Sequence, residues 1–146
     1  MGVIAGLNEG VTNAQEFNTL DAGQHQLQIA NAKVKKSKKG HPYISVCLES
    51  IADPMTNEVW HTLFLPSADS TEKQIARTYA AIKAFDLAFD IDPSVDLEFE
   101  DDGNGGIPDD GGEIFAWKGQ TGWAVLKHKE DPERGTQAVV ASFVRV

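Results

Sequence analysis

Five lysines fall between Lys33 and Lys39 in the stretch AKVKKSKKGHPYISV, and Tyr43 follows shortly after Gly40. That pairing of cation and ring suits one kind of chemistry. Each phosphate neutralised by a lysine releases condensed counterions, and each ring that stacks on a base adds roughly 1–3 kcal/mol. The same pairing recurs where Trp123 precedes Lys127 and Lys129 on alternate positions. The candidate phosphate contacts are therefore Lys33, Lys35, Lys36, Lys38, Lys39, Lys127 and Lys129. The candidate stacking residues are Tyr43, Trp60, Phe64 and Trp123, with Trp117 and Lys118 nearby as a further pair. A plainer reading stands beside this one: a solvated lysine hairpin discourages edge-to-edge aggregation, and tryptophans most often fill cores.

Other chemistries find less support. His25, His41, His61 and His128 show no metal-ligand spacing with one another or with Cys47. No Gly-rich phosphate loop and no nucleophile elbow is present, and Cys47 sits mid-strand without an evident base. The segment DDGNGGIPDDGGE resembles a calcium loop, but no register works. Starting at Asp102 places Ile107 where glycine is required, and starting at Asp101 loses the third-position ligand and the terminal Glu. The expectation is a non-enzymatic protein without cofactor or metal.

The formal net charge is -9, yet the acid is confined. Eleven of the 22 acidic residues lie from Asp86 to Glu113, a span with no Lys or Arg, leaving 11 acids against 13 basic residues elsewhere. Outside that span the chain is slightly basic, so the acidic total does not argue against nucleic acid. A length of 146 residues suits one domain with its own core. The single cysteine, the lack of an apolar run long enough to span a membrane, and an N-terminus unlike a signal peptide lead to an expectation of a cytoplasmic protein.

These side chains need elements to position them. Residues 1–20 read as an N-terminal arm. Gln24 to Ala30, running on to Val34, alternates as a half-buried strand. Tyr43–Glu49 is the clearest strand, with Ile44, Val46 and Leu48 on one face and Tyr43 on the other. Val59–Leu65 makes a third. Burying its aliphatic set turns Trp60 and Phe64 outward; burying the aromatics turns His61 outward, and periodicity alone does not choose. A helix follows, capped by Asp69 or Ser70 and ended by Pro93, with Ile75, Ala76, Tyr79, Ile82, Phe85 and Phe89 facing the core. Residues 98–113 read as an acidic, Gly/Asp-rich solvated loop. Trp123–Lys129 and Ala138–Val144 supply two final strands. Three strands, one helix and two strands match an all-β five-stranded OB-fold barrel, the helix lying between strands 3 and 4.

The segments LDAGQHQLQI, KVKKSKKGHPYISV and GQTGWAVLKHKED resemble a group of bacteriophage single-stranded-DNA-binding proteins, with His25 where that group usually has an aromatic. The loosely matching pieces span residues 20 to 146. The resemblance implies an OB-fold protein that coats single-stranded DNA in phage replication or recombination, in the host cytoplasm, with little sequence preference. It puts the basic and aromatic residues above in the binding role. It also makes phage replication or recombination proteins, or further copies of the chain, candidate partners. The rival expectation is a phage accessory protein, an interaction barrel whose contact is the acidic loop.

Overall fold

The structure, a computed structural model, describes residues 1–14 and 18–145. Alternating apolar residues build a long first strand, β1 (Gly23–Lys36). Leu27 and Ile29 face inward; past a β-bulge between Ile29 and Asn31 the inward pair is Ala32 and Val34. Along one edge β1 pairs with β2 (Pro42–Ser50), which pairs in turn with β3 (Val59–Phe64). Along its other edge Gly23–Gln28 pairs with β5 (Thr121–Asp131), and Lys33–Val34 pairs with the two-residue β4 (Gly112–Glu113). The last strand, β6 (Gly135–Val144), pairs with β5.

The result is a six-stranded antiparallel sheet in the order β3-β2-β1-β5-β6, with β4 beside β1. The expected mostly-β chain with one main helix is present, but the sheet is not closed into the expected five-stranded barrel. Among the described residues no hydrogen-bonded register joins β3 to β6. Side chains bridge them instead, the His61 and Phe143 rings meeting edge to face with centroids 5.0 Å apart. Two inward rings fill the gap that a backbone ladder would otherwise close, and burial pushes the His61 pKa down.

The one long helix is α2 (Glu72–Ala88), and its cap differs from the sequence expectation. Thr71, rather than Asp69 or Ser70, is the N-cap. Its Oγ1 accepts from the Gln74 N–H (3.2 Å), while Gln74 Oε1 accepts from the Thr71 N–H (2.9 Å). Only Thr71 has a glutamine three positions on, so it alone forms the reciprocal capping box. The helix also ends well before Pro93. Asp90 turns left-handed (φ 57), and the Ile91 N–H donates to the Asp86 carbonyl at 2.7 Å, a Schellman closure.

Phe85 and Phe89 are the buried anchors of α2, with Ile82 packed beside them. Tyr79, expected on this stripe, is 59% exposed, and Ala76 also faces solvent. Phe85 stacks against Phe89 (4.8 Å), Trp117 (5.1 Å) and Phe143 (5.4 Å), so the helix plugs the space beneath the sheet. Trp117 is thereby a core residue and not a stacking surface. Gly122 on β5 lets the end of α2 approach, since a Cβ there would lie 2.4 Å from the Ala88 carbonyl oxygen. Ahead of the sheet, the short helix α1 (Leu7–Thr12) buries nothing, but Leu20, the last residue of the expected arm, belongs to the core. Residues 15–17 of that arm lie outside the described residues.

One buried group works against the fold. Asp86 is 7% exposed, and its Oδ1 has no hydrogen-bond partner among the described residues. Desolvation raises its pKa to about 6. Between the unfolded value near 3.8 and about 6 the native state holds the extra proton, so stability falls as pH rises through that window and stays reduced above it. Asp86→Asn is therefore expected to gain on the parent by about 1–2 kcal/mol between pH 4 and pH 7.5, measured by urea unfolding. An equal difference at both pH values would refute the assignment.

Candidate nucleic-acid interface

The outer face of β1, β2 and β3 follows from what the inner face buries. With Ala32, Val34, Ile44, Val46, Val59 and Leu63 inward, Lys33, Lys35, Tyr43, Trp60 and Phe64 are left outward. Trp60 is 57% exposed and Phe64 70% exposed, which decides the face that periodicity left open. Register then sets the neighbours. Lys35 lies opposite Tyr43, and Tyr43 opposite Phe64, so cation, phenol and phenyl ring form one row across three strands. A second row runs Lys33, Ser45, Thr62, and a third runs Asn31, Cys47, Trp60. Directly opposed side chains on one face sit about 4.5–5.5 Å apart at Cβ, close enough to present one continuous surface.

The hairpin beyond this row is a tight loop. The Ser37 N–H donates to the His41 carbonyl and the Gly40 N–H to the Ser37 carbonyl, both at 2.9 Å, with Gly40 left-handed at φ 81. Lys36, Lys38 and Lys39 project from it into solvent. At the opposite end of the face, Lys127 and Lys129 lie on β5 past its last pairing with β1, opposite Val139 and Gln137 of β6. Val139 and Gln137 line the same cleft as Trp60, so the two lysine groups flank the aromatic face from opposite ends. Trp123 is not part of this arrangement. It is half-buried, its neighbours across the strands are Gln26 and Val144, and most of the length of β1 separates Gln26 from Lys35.

Lys33 has different company. The segment 98–113, expected to be solvated, is tied down. The Glu100 N–H donates to the Glu113 carbonyl (2.9 Å), the Ile114 N–H to the Ala32 carbonyl (2.9 Å), and Phe99 and Ile107 pack against the core. Sequence-level acidity hid these two anchors and the strand β4. Glu113 lies opposite Lys33 on β4, and Lys33 shares a hollow with Glu100, Asp101, Asp102 and Asp110. Gly111 presses on the lysine stems, since a Cβ there would meet Lys35 Cγ at 3.1 Å and Lys33 Cδ at 3.3 Å. The acidic segment thus lies along the lysine edge of β1. Asp102 accepts from the Asn104 and Gly106 N–H groups, which with the nearby Lys36 charge hold its carboxyl below the usual range.

Spacing did not single out Arg134, which lines the Trp60 cleft from the β5–β6 turn, or the 60% exposed ring of Phe115 on the 3-10 turn Phe115–Trp117 that follows β4. The adjacency of Arg134 to Lys127 and Lys129 in sequence was the available signal. Cys47 is buried beside its cross-strand neighbour Trp60; desolvation, with the Glu58 carboxylate nearby, pushes its thiol up to about 12, leaving it protonated and unreactive at neutral pH. Among the described residues no group of three His, Cys, Asp or Glu converges to hold a metal, and no helix is long and apolar enough to cross a membrane. No family model matches the chain, and no curated protein matches it either.

Proposed function

We propose that the protein is a non-enzymatic single-stranded-DNA-binding protein of OB-fold type that coats the strand without strong sequence preference, in phage replication or recombination. The observation that carries this reading is the row Lys35–Tyr43–Phe64, extended by the hairpin lysines and by Trp60. An OB-fold is a partly open Greek-key barrel that binds oligonucleotides on the face of its second and third strands, between the loop after strand 1 and the loop after strand 4. Here those places correspond to β2–β3, the Ser37–His41 loop and the β5–β6 turn. Exposed rings hold bases of any sequence because every base has a π-face, while lysines track the backbone. Titration with oligo-dT and oligo-dA, followed by tryptophan fluorescence at two salt concentrations, is expected to give quenching and salt-weakened binding for both. Absence of both effects at micromolar strand would sink the reading.

The ordered acidic segment supports a second element of the same reading. The segment lies against the stems of Lys33 and Lys35 and gathers acidic residues around Lys33, so its negative charge and the phosphates of a strand compete for one edge. Replacing Glu100 by Gln together with Asp110 by Asn, both lining the Lys33 hollow, should raise single-strand affinity several-fold at low salt, with the gain fading as salt screens it. If the segment is instead a protein contact, as in the accessory-barrel reading, the same change would leave DNA affinity unaltered and weaken capture of a protein partner.

A further inference from the structure

Besides the open face, the outer surface carries one cleft of about 500 Å³, between the start of β3, the turn before it and the start of β6. Its lining includes the exposed Trp60, together with the acidic Glu49 and Glu58, the amide residues Asn57 and Gln137, and Arg134. This chemistry differs from that of the hairpin end. Two carboxylates disfavour a phosphate, whereas an exposed aromatic residue among amides and carboxylates suits a flat, hydrogen-bonding ring.

We propose that this cleft seats one nucleobase of the bound strand, stacked on Trp60, and favours bases bearing an exocyclic amine over thymine. The inference rests on the single-strand reading above and refines it at one position. Cytosine, adenine and guanine each present an amine that donates to a carboxylate, and Glu or Asp accepting from the cytosine amine is a standard pairing. Thymine has no amine, and its one ring donor, N3–H, lies between two carbonyl oxygens that repel a carboxylate drawn up to it, so its pairing with Glu49 or Glu58 is the weaker one. Arg134 and the Lys127–Lys129 pair on the neighbouring strand are placed to hold the flanking phosphates while the base turns inward.

The test uses the full chain and oligo-dT strands of about 16 nucleotides, the upper site size of one such domain. Each is compared with the same strand carrying one central dC, and with free dCMP. A single dC is expected to tighten binding by about ten-fold over dT alone, within the range of one good base contact. Glu58→Gln or Glu49→Gln should erase that difference, the exposed Glu49 serving as the check if Glu58→Gln perturbs the fold. Weak binding of dCMP that is lost in Trp60→Ala would confirm that the cleft takes the base itself. Equal binding of the dT and dC strands, or a dC preference that survives both Glu variants, overturns the inference while leaving the single-strand reading intact. Failure of every strand to bind overturns both.

Discussion

Replacing Lys35, Lys36, Lys38 and Lys39 together with alanine is expected to produce the largest loss of single-strand affinity, equal for all sequences. Three of the four project from the hairpin into solvent, and Lys35 heads the row that leads to Tyr43 and Phe64. Four phosphate contacts contribute about 2.8 to the slope of log affinity against log salt for a single strand. The gap between parent and variant should accordingly shrink by about 50-fold between 50 and 200 mM salt, because only the parent has those counterions to release. Lys33 is left out deliberately, since Glu113 and the acidic segment already face it. The stem of Lys35 packs on Gly111, so the Lys36, Lys38 and Lys39 triple variant separates lost charge from lost packing. Binding that keeps the parental salt slope in both variants would exclude the hairpin from the interface.

Phe64→Ala is the second large effect, expected to cost about 1–3 kcal/mol of binding free energy, roughly five- to 150-fold in affinity. Phe64 is 70% exposed, so the fold gains little from its ring, and the variant should unfold within about 0.5 kcal/mol of the parent. A large solvent-facing ring at the end of a strand, beside a lysine row, is costly to keep in water and becomes useful when a flat partner covers it. Phe64→Trp should retain affinity, because stacking needs a π-face rather than a particular ring. Parental affinity in Phe64→Ala, measured by equilibrium titration with oligo-dT, would place the strand elsewhere.

Most elements were legible where local pattern and burial agree. The alternation of Ile44, Val46 and Leu48 marked β2 and its inner face, and Pro66 marked the end of the third strand. The helix was legible as an element but not in its rotation. Tyr79 fits a helical period with Ile75 and Ile82, yet the burial of Phe85 and Phe89 turns Tyr79 to solvent. The acidic segment misled because composition dominates such a reading, whereas Phe99, Ile107 and the buried Gly112 decide the outcome by contacts distant in sequence. The same limit applies to Trp117. One tryptophan reads like another until Phe85 is brought to within 5.1 Å of it. Alternation put Trp60 and Phe64 on one face of β3, but only the burial of Val59 and Leu63 turned that face outward beside Tyr43.

The bulge in β1 settles more than the path of a strand. Inward residues before it carry odd numbers, Leu27 and Ile29; those after it carry even numbers, Ala32 and Val34. Had the odd count continued, Asn31, Lys33 and Lys35 would have pointed into the core and Ala32 and Val34 into water, an arrangement no fold would tolerate. One supernumerary residue, Ala30, therefore works as a parity switch. It lets a single uninterrupted strand contribute to the core throughout its length and still turn Lys33 and Lys35 to the outside, while Lys36, of inward parity, is exposed because the strand ends there.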